Sequence, residues 1–124
     1  MIALLMALAC TDEVVDSDAD TASFDTSREL QTASFAMAWE PDPDPIPFND
    51  YFDLAFTISP VPTDFSFDAR MPTHGHGMNV QPPETLDGEV WRVEGALFHM
   101  SGHWELIVIA DGETAVFHTL VEAR

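Results

Sequence analysis

An all-β domain, built as an antiparallel β-sandwich of about seven strands, is the fold this sequence predicts. Three observations carry the expectation. Apolar and polar residues alternate in short runs. Turn residues recur at intervals of about ten positions. No stretch of the chain has helical period. With 124 residues and 46% hydrophobic content, the chain can bury one core.

The N-terminal elements come first. "MIALLMALA" is apolar but too short to span a bilayer, and it matches the apolar core of an export signal over residues 1–9. Cys10, the single cysteine, follows directly, so no internal disulfide can form. Ala7, Leu8 and Ala9 before it resemble the bacterial lipobox, in which the cysteine is lipidated and becomes the mature N-terminus. Ala7 stands where Leu is usual, and no Lys or Arg precedes the apolar run. A plain secretory signal or a short buried strand is the other reading. Residues 10–33 then carry seven acids against Arg28, with isolated apolar positions, and are expected to form a disordered acidic linker. "DSDAD" is not an EF-hand start, because Thr21 and Ser27 occupy the positions that need Gly and Glu.

The domain is expected over residues 34–124. "SFAMAWE" places Phe35, Met37 and Trp39 on one face. "PDPDPIPFND", with four prolines, is expected to be irregular. "YFDLAFTIS" alternates through Phe52, Leu54, Phe56 and Ile58, and "FSFDARM" through Phe65, Phe67 and Ala69. A turn is expected at "LDGE", followed by "VWRVEG" with Val90 and Arg92 opposite Trp91 and Val93. "HWELIVIAD" has two alternating sets, Trp104, Leu106 and Val108 against His103, Glu105, Ile107 and Ile109, as in a central strand. "DGE" at 111–113 is a hairpin signal before "TAVFHTLV". With no cysteine pair, the expected architecture is immunoglobulin-like without the disulfide of antibody domains.

Charge narrows the function classes. There are 22 acidic residues against four basic ones, all arginine, for a net charge of −18. Such a surface repels phosphate backbones and excludes nucleic-acid binding. It serves solubility and attracts cations. Catalytic motifs are missing: there is no Gly-x-Ser-x-Gly elbow and no phosphate-binding loop, so no enzymatic activity is expected.

"MPTHGHGM" is the stretch with chemical interest. Imidazoles at His74 and His76 suit Cu(II), Zn(II) or Ni(II), and thioethers at Met71 and Met78 suit Cu(I). "HMSGH" adds His99, Met100 and His103, and loops distant in sequence can meet at one end of a sandwich. The structural reading stands beside this. Met71 and Met100 fill core gaps, the glycines serve turn geometry, and the histidines bond backbone groups. His118 is expected to be structural.

"DARMPTHGHGM" with "GEVWRVEGALFHMSGHWELIVIADG" resembles the YtkA-like family of small bacterial extracytoplasmic domains. The residues that carry the likeness are Met71, Pro72, His74, Gly75, His76 and Gly77, then Gly95, Phe98, Met100, Gly102 and Trp104, within residues 60–121. The resemblance implies an exported immunoglobulin-like sandwich, and similar small domains occur around periplasmic copper handling and oxidase assembly. The expectation is a membrane-anchored envelope lipoprotein, held through Cys10, that holds or delivers copper. The alternative is a metal-free sandwich that docks an envelope protein partner.

Overall fold

A computed structural model describes residues 24–123. The expected signal sequence, Cys10 and the linker up to residue 23 lie outside the described residues. Nine strands follow in order: β1 (Glu29–Gln31), β2 (Ala36–Asp42), β3 (Tyr51–Ser59), β4 (Phe65–Met71), β5 (His76–Gly77), β6 (Glu84–Asp87), β7 (Val90–Leu97), β8 (Gly102–Ala110) and β9 (Glu113–Val121). They form two antiparallel sheets, ordered β1-β2-β3-β7-β6 and β5-β4-β8-β9. There is no helix among the described residues.

Period-two alternation builds the layer between the sheets. β3 buries Phe52, Leu54, Phe56 and Ile58; β4 buries Phe65, Phe67, Ala69 and Met71; β8 buries Trp104, Leu106, Val108 and Ala110. Aromatic pairs lock the interior: Phe98 stacks on Trp104 at 4.3 Å, and Phe52 meets Phe98 edge-on at 5.0 Å. The expected hairpin at Asp111–Gly112 joins β8 to β9, with φ of 47° and 85° at its two residues, the signature of a type I′ turn. The Asp111 carboxylate also accepts the N–H groups of Thr63 and Asp64, which pins the β3–β4 connection to this end.

Four features depart from the sequence expectation. Ordered structure begins before residue 34: β1 pairs with β2 through Glu29↔Ala38, Leu30↔Met37 and Gln31↔Ala36, and Leu30 packs against the core. The last part of the expected linker therefore belongs to the domain. Arg28 reinforces this, with a bidentate pair to Asp44 at 2.9 Å and its guanidinium 5.0 Å from the centre of the Trp39 ring. Next, β2 runs through Pro41 to Asp42. β1 reaches only to Ala38, so at Pro41 one side of β2 is an open edge, where proline is tolerated. Third, the alternation of β7 breaks at Gly95, with φ of +86°. Val93 and Ala96 are both buried because the register slips opposite Phe52 and Asp53, making Gly95 a bulge whose N–H donates to Asp53. Finally, "ETLD" forms β6, an edge strand exposed along its whole length.

Candidate functional site

The chemically interesting stretch folds as a β4–β5 hairpin. Met71, the last residue of β4, is fully buried, and its carbonyl accepts the N–H groups of His74 and Gly75 at 3.2 and 2.9 Å. The two glycines serve different ends. Gly75 has φ of +71° with open space around it, so it supplies a left-handed turn. Gly77 is needed for proximity: a Cβ there would lie 2.9 Å from the Ala69 carbonyl oxygen. The hairpin pairs His76 with Met71 and Gly77 with Arg70. Paired residues project to the same face, so His76 leaves the sheet on the core side, at the end of the sandwich. His74 and His76 are both exposed, with ring centroids 5.9 Å apart.

The β7–β8 loop meets this hairpin. Trp104 organises it, lying flat on Phe98 and donating its indole N–H to the Met100 carbonyl at 2.9 Å. The Asn49 N–H bonds the Phe98 carbonyl at 3.0 Å. Between these anchors the chain projects His99, whose ring sits edge-on to Trp104 at 5.9 Å and 5.5 Å from His76. The Nδ1 of His99 is buried and has no hydrogen-bond partner among the described residues. Met78 and Met100 are partly buried against the core beside these loops. Met71 packs more deeply, with its terminal methyl 3.0 Å from where a Cβ on Gly102 would sit.

His74, His76 and His99 thus form a row of imidazoles. Two rings bound to one ion through nitrogens at about 2.0–2.1 Å have centroids roughly 5–6 Å apart, close to the spacings in this row. The nitrogens do not already converge: among the described residues no three His, Cys, Asp or Glu side chains form a ready metal-ligand group. Ligation therefore calls for rotation of the exposed His74 and His76 side chains, which cross only ordinary rotamer barriers.

The structure places His103 elsewhere. Because Trp104 points inward, His103 points outward from β8, onto the solvent face of the four-stranded sheet. Its Nε2 lies 2.9 Å from Nδ1 of His118, which is 4.0 Å from Glu105, and Glu105 pairs with Arg70 at 3.1 Å. Phe24 stacks on His103 with centroids 3.7 Å apart. The alternation of "HWELIVIAD" already held this separation of His103 from the loop histidines.

No family model matches the chain, and no curated protein matches it either. Among solved structures, it is similar to a DUF4426 family protein from Pseudomonas aeruginosa PAO1, at 12% identity and a TM-score of 0.50, over 76% of this chain and 96% of that one. The likeness is one of fold. It agrees with the two-sheet sandwich built above and carries no site chemistry.

Proposed function

We propose that this domain is an extracytoplasmic binding module of the YtkA-like kind, anchored through lipidated Cys10, that holds or delivers copper at the end of the sandwich. His74, His76 and His99 supply the nitrogen ligands, and Met78 and Met100 supply thioethers. Met71 stays a packing residue. One observation carries the reading: no hydrogen bond among the described residues uses an imidazole nitrogen of His74, His76 or His99. A purely architectural role would have these rings bonding the backbone of the two loops. Instead their nitrogens bond nothing among the described residues, in segments that also carry Met78 and Met100, whose thioethers suit Cu(I).

Titration of the folded domain with Cu(I) under anaerobic conditions, against a chromogenic competitor, tests the reading. Parallel Cu(II) spectra report nitrogen ligation. One equivalent should bind, and His74→Ala with His76→Ala should abolish stoichiometric binding while the sandwich stays folded. His99→Ala should weaken both oxidation states. Because imidazole ligates only when neutral, affinity should fall on acidification. A wild-type domain that binds copper no more tightly than the double variant ends the metal reading. The metal-free module that docks an envelope protein would then remain.

A further inference from the structure

A second group of metal-ligating side chains stands on the outer face of the four-stranded sheet. His103 and Glu105 are two residues apart on β8 and so share that face, and His118 on β9 is the register partner of Glu105. Nε2 of His103 faces Nδ1 of His118 at 2.9 Å, and Oε2 of Glu105 lies 4.0 Å from the same Nδ1. Arg70 donates its Nε–H to Oε1 of Glu105 at 3.1 Å, so Oε2 is the oxygen beside the imidazoles. The group is sheltered but reachable. The side chains of His118 and Glu105 are 25% and 17% exposed, and Phe24 lies flat on His103 with ring centroids 3.7 Å apart. Stacking covers the face of a ring and leaves its nitrogens, which bond in the ring plane, accessible from the side.

We propose that His103, His118 and Glu105 form a second metal site, for a divalent ion of the Zn(II) class. Ligands held at about 2.0–2.1 Å around a tetrahedral ion stand roughly 3.3 Å from one another. The two nitrogens, 2.9 Å apart, must open by about 0.4 Å, and the Glu105 oxygen, 4.0 Å away, must close by about 0.7 Å. The three therefore do not form a ready ligand group as they stand, and small side-chain rotations within one rotamer well supply both movements. The ion takes the place of the proton between the rings, and the ring that donated it carries that proton on its other nitrogen instead. Two nitrogens and a carboxylate oxygen, without sulfur, suit Zn(II) and not Cu(I), so the site differs in chemistry from the loops. Arg70 is a positioning residue here: by holding Oε1 it orients the carboxylate. The strands on either side fix all three ligands to a paired β8–β9 backbone, and the net charge of −18 raises the local concentration of divalent cations.

The test is titration of the full chain with Zn(II) against a chromogenic chelator, in a background carrying His74→Ala and His76→Ala. No loop histidine takes part, so failure of copper binding at the loops leaves this proposal standing. One equivalent should bind. Adding His103→Gln or His118→Gln should weaken binding at least tenfold, and Arg70→Gln should weaken it by about tenfold with the three ligands intact. Urea midpoints check that each variant is folded. Ring-proton NMR of the background chain needs no change in the cluster: Zn(II) should move the His103 and His118 signals and leave those of His99 in place. Three results overturn the proposal. The background chain binds Zn(II) no more tightly than a folded His118→Gln chain, which makes the cluster a hydrogen-bonded pair only; or His103→Gln leaves the affinity unchanged; or Zn(II) binds while the His103 and His118 signals stay where they were.

Discussion

Replacing Gly77 with Ala probes how the hairpin holds His76. The added Cβ would sit 2.9 Å from the Ala69 carbonyl oxygen, a backbone atom that cannot swing aside. Comfortable carbon–oxygen contacts are about 3.3–3.6 Å, so a gap of roughly 0.4–0.7 Å must open. β4 cannot supply it, because six register pairs fix it to β8. β5 is held by only two pairs, so it gives way. The cost is that of overpacking, about 1–3 kcal/mol, capped by what the β5 pairing contributes. Gly75→Ala is the matched control: it has room for the methyl and meets only left-handed strain, about 1–2 kcal/mol. Urea midpoints read the global cost, and hydrogen exchange at the Arg70 and Gly77 amides reads the hairpin. Gly77→Ala should lose hairpin protection and, by moving His76 away from His99, lower copper affinity more than Gly75→Ala does. If Gly77→Ala keeps the wild-type midpoint and wild-type hairpin protection, the close approach of β5 to β4 does not hold the site.

Three further outcomes follow from the geometry. Ser34 and then Thr32 hydrogen bonds hold the Glu113 carboxyl below its ordinary value of 4.5, and the Arg28 hydrogen bond does the same for Asp44 below 3.8. Both contribute stability that is present above those values and lost as pH falls through the lower folded ones, so urea midpoints should drop in that acid range, and Glu113→Gln should flatten part of the drop. Trp104→Phe keeps the ring over Phe98 but deprives the Met100 carbonyl of its donor, and should cost about 1–3 kcal/mol in urea unfolding. Removing residues 1–33 should lower the urea midpoint below that of the chain lacking residues 1–23, because β1, Leu30 and the Arg28–Asp44 pair go with them.

The parts of the fold that were legible in the sequence are those where one face is buried and one is wet. β3 and β4 write that boundary into alternating residues, so their limits and inward faces could be read directly; β8 offered two apolar sets, and only the structure assigns Trp104, Leu106 and Val108 to the core. The missed elements lack that signal. β6 is exposed throughout, so "ETLD" looks like a turn. β1 contributes one apolar residue, Leu30, in an acidic neighbourhood, so its pairing is invisible without its partner. β5 is a strand only because Gly77 lets two backbones approach. The bulge at Gly95 hid for a related reason: period-two reading cannot show an inserted residue until the register opposite is known. The loop site was half legible. Its residue types were plain, but the sequence grouped His103 with His99, although strand alternation sends it to the outer face.

The division of labour within "MPTHGHGM" and "GALFHMSGHW" bears on what the site is for. Met71 closes the core over Gly102, Gly75 turns the chain, Gly77 admits β5, Gly95 makes the bulge, and Phe98 and Trp104 clamp the second loop through the Met100 carbonyl. Each of these residues has an architectural duty that explains its presence. His74, His76 and His99 have none of that kind. Two are exposed, and the third buries an Nδ1 that bonds nothing among the described residues. A buried ring nitrogen without a partner costs about 1–3 kcal/mol, a cost that His99 Nδ1 shares with Trp39 Nε1 among the described residues. Rotating His74 and His76 to join His99 around a soft ion would give that nitrogen a partner. Copper binding should therefore stabilise the domain against urea through the His99 loop, and His99→Ala should remove that gain. If copper raises the urea midpoint equally with and without His99, the ion is held elsewhere and the orphaned Nδ1 has another purpose.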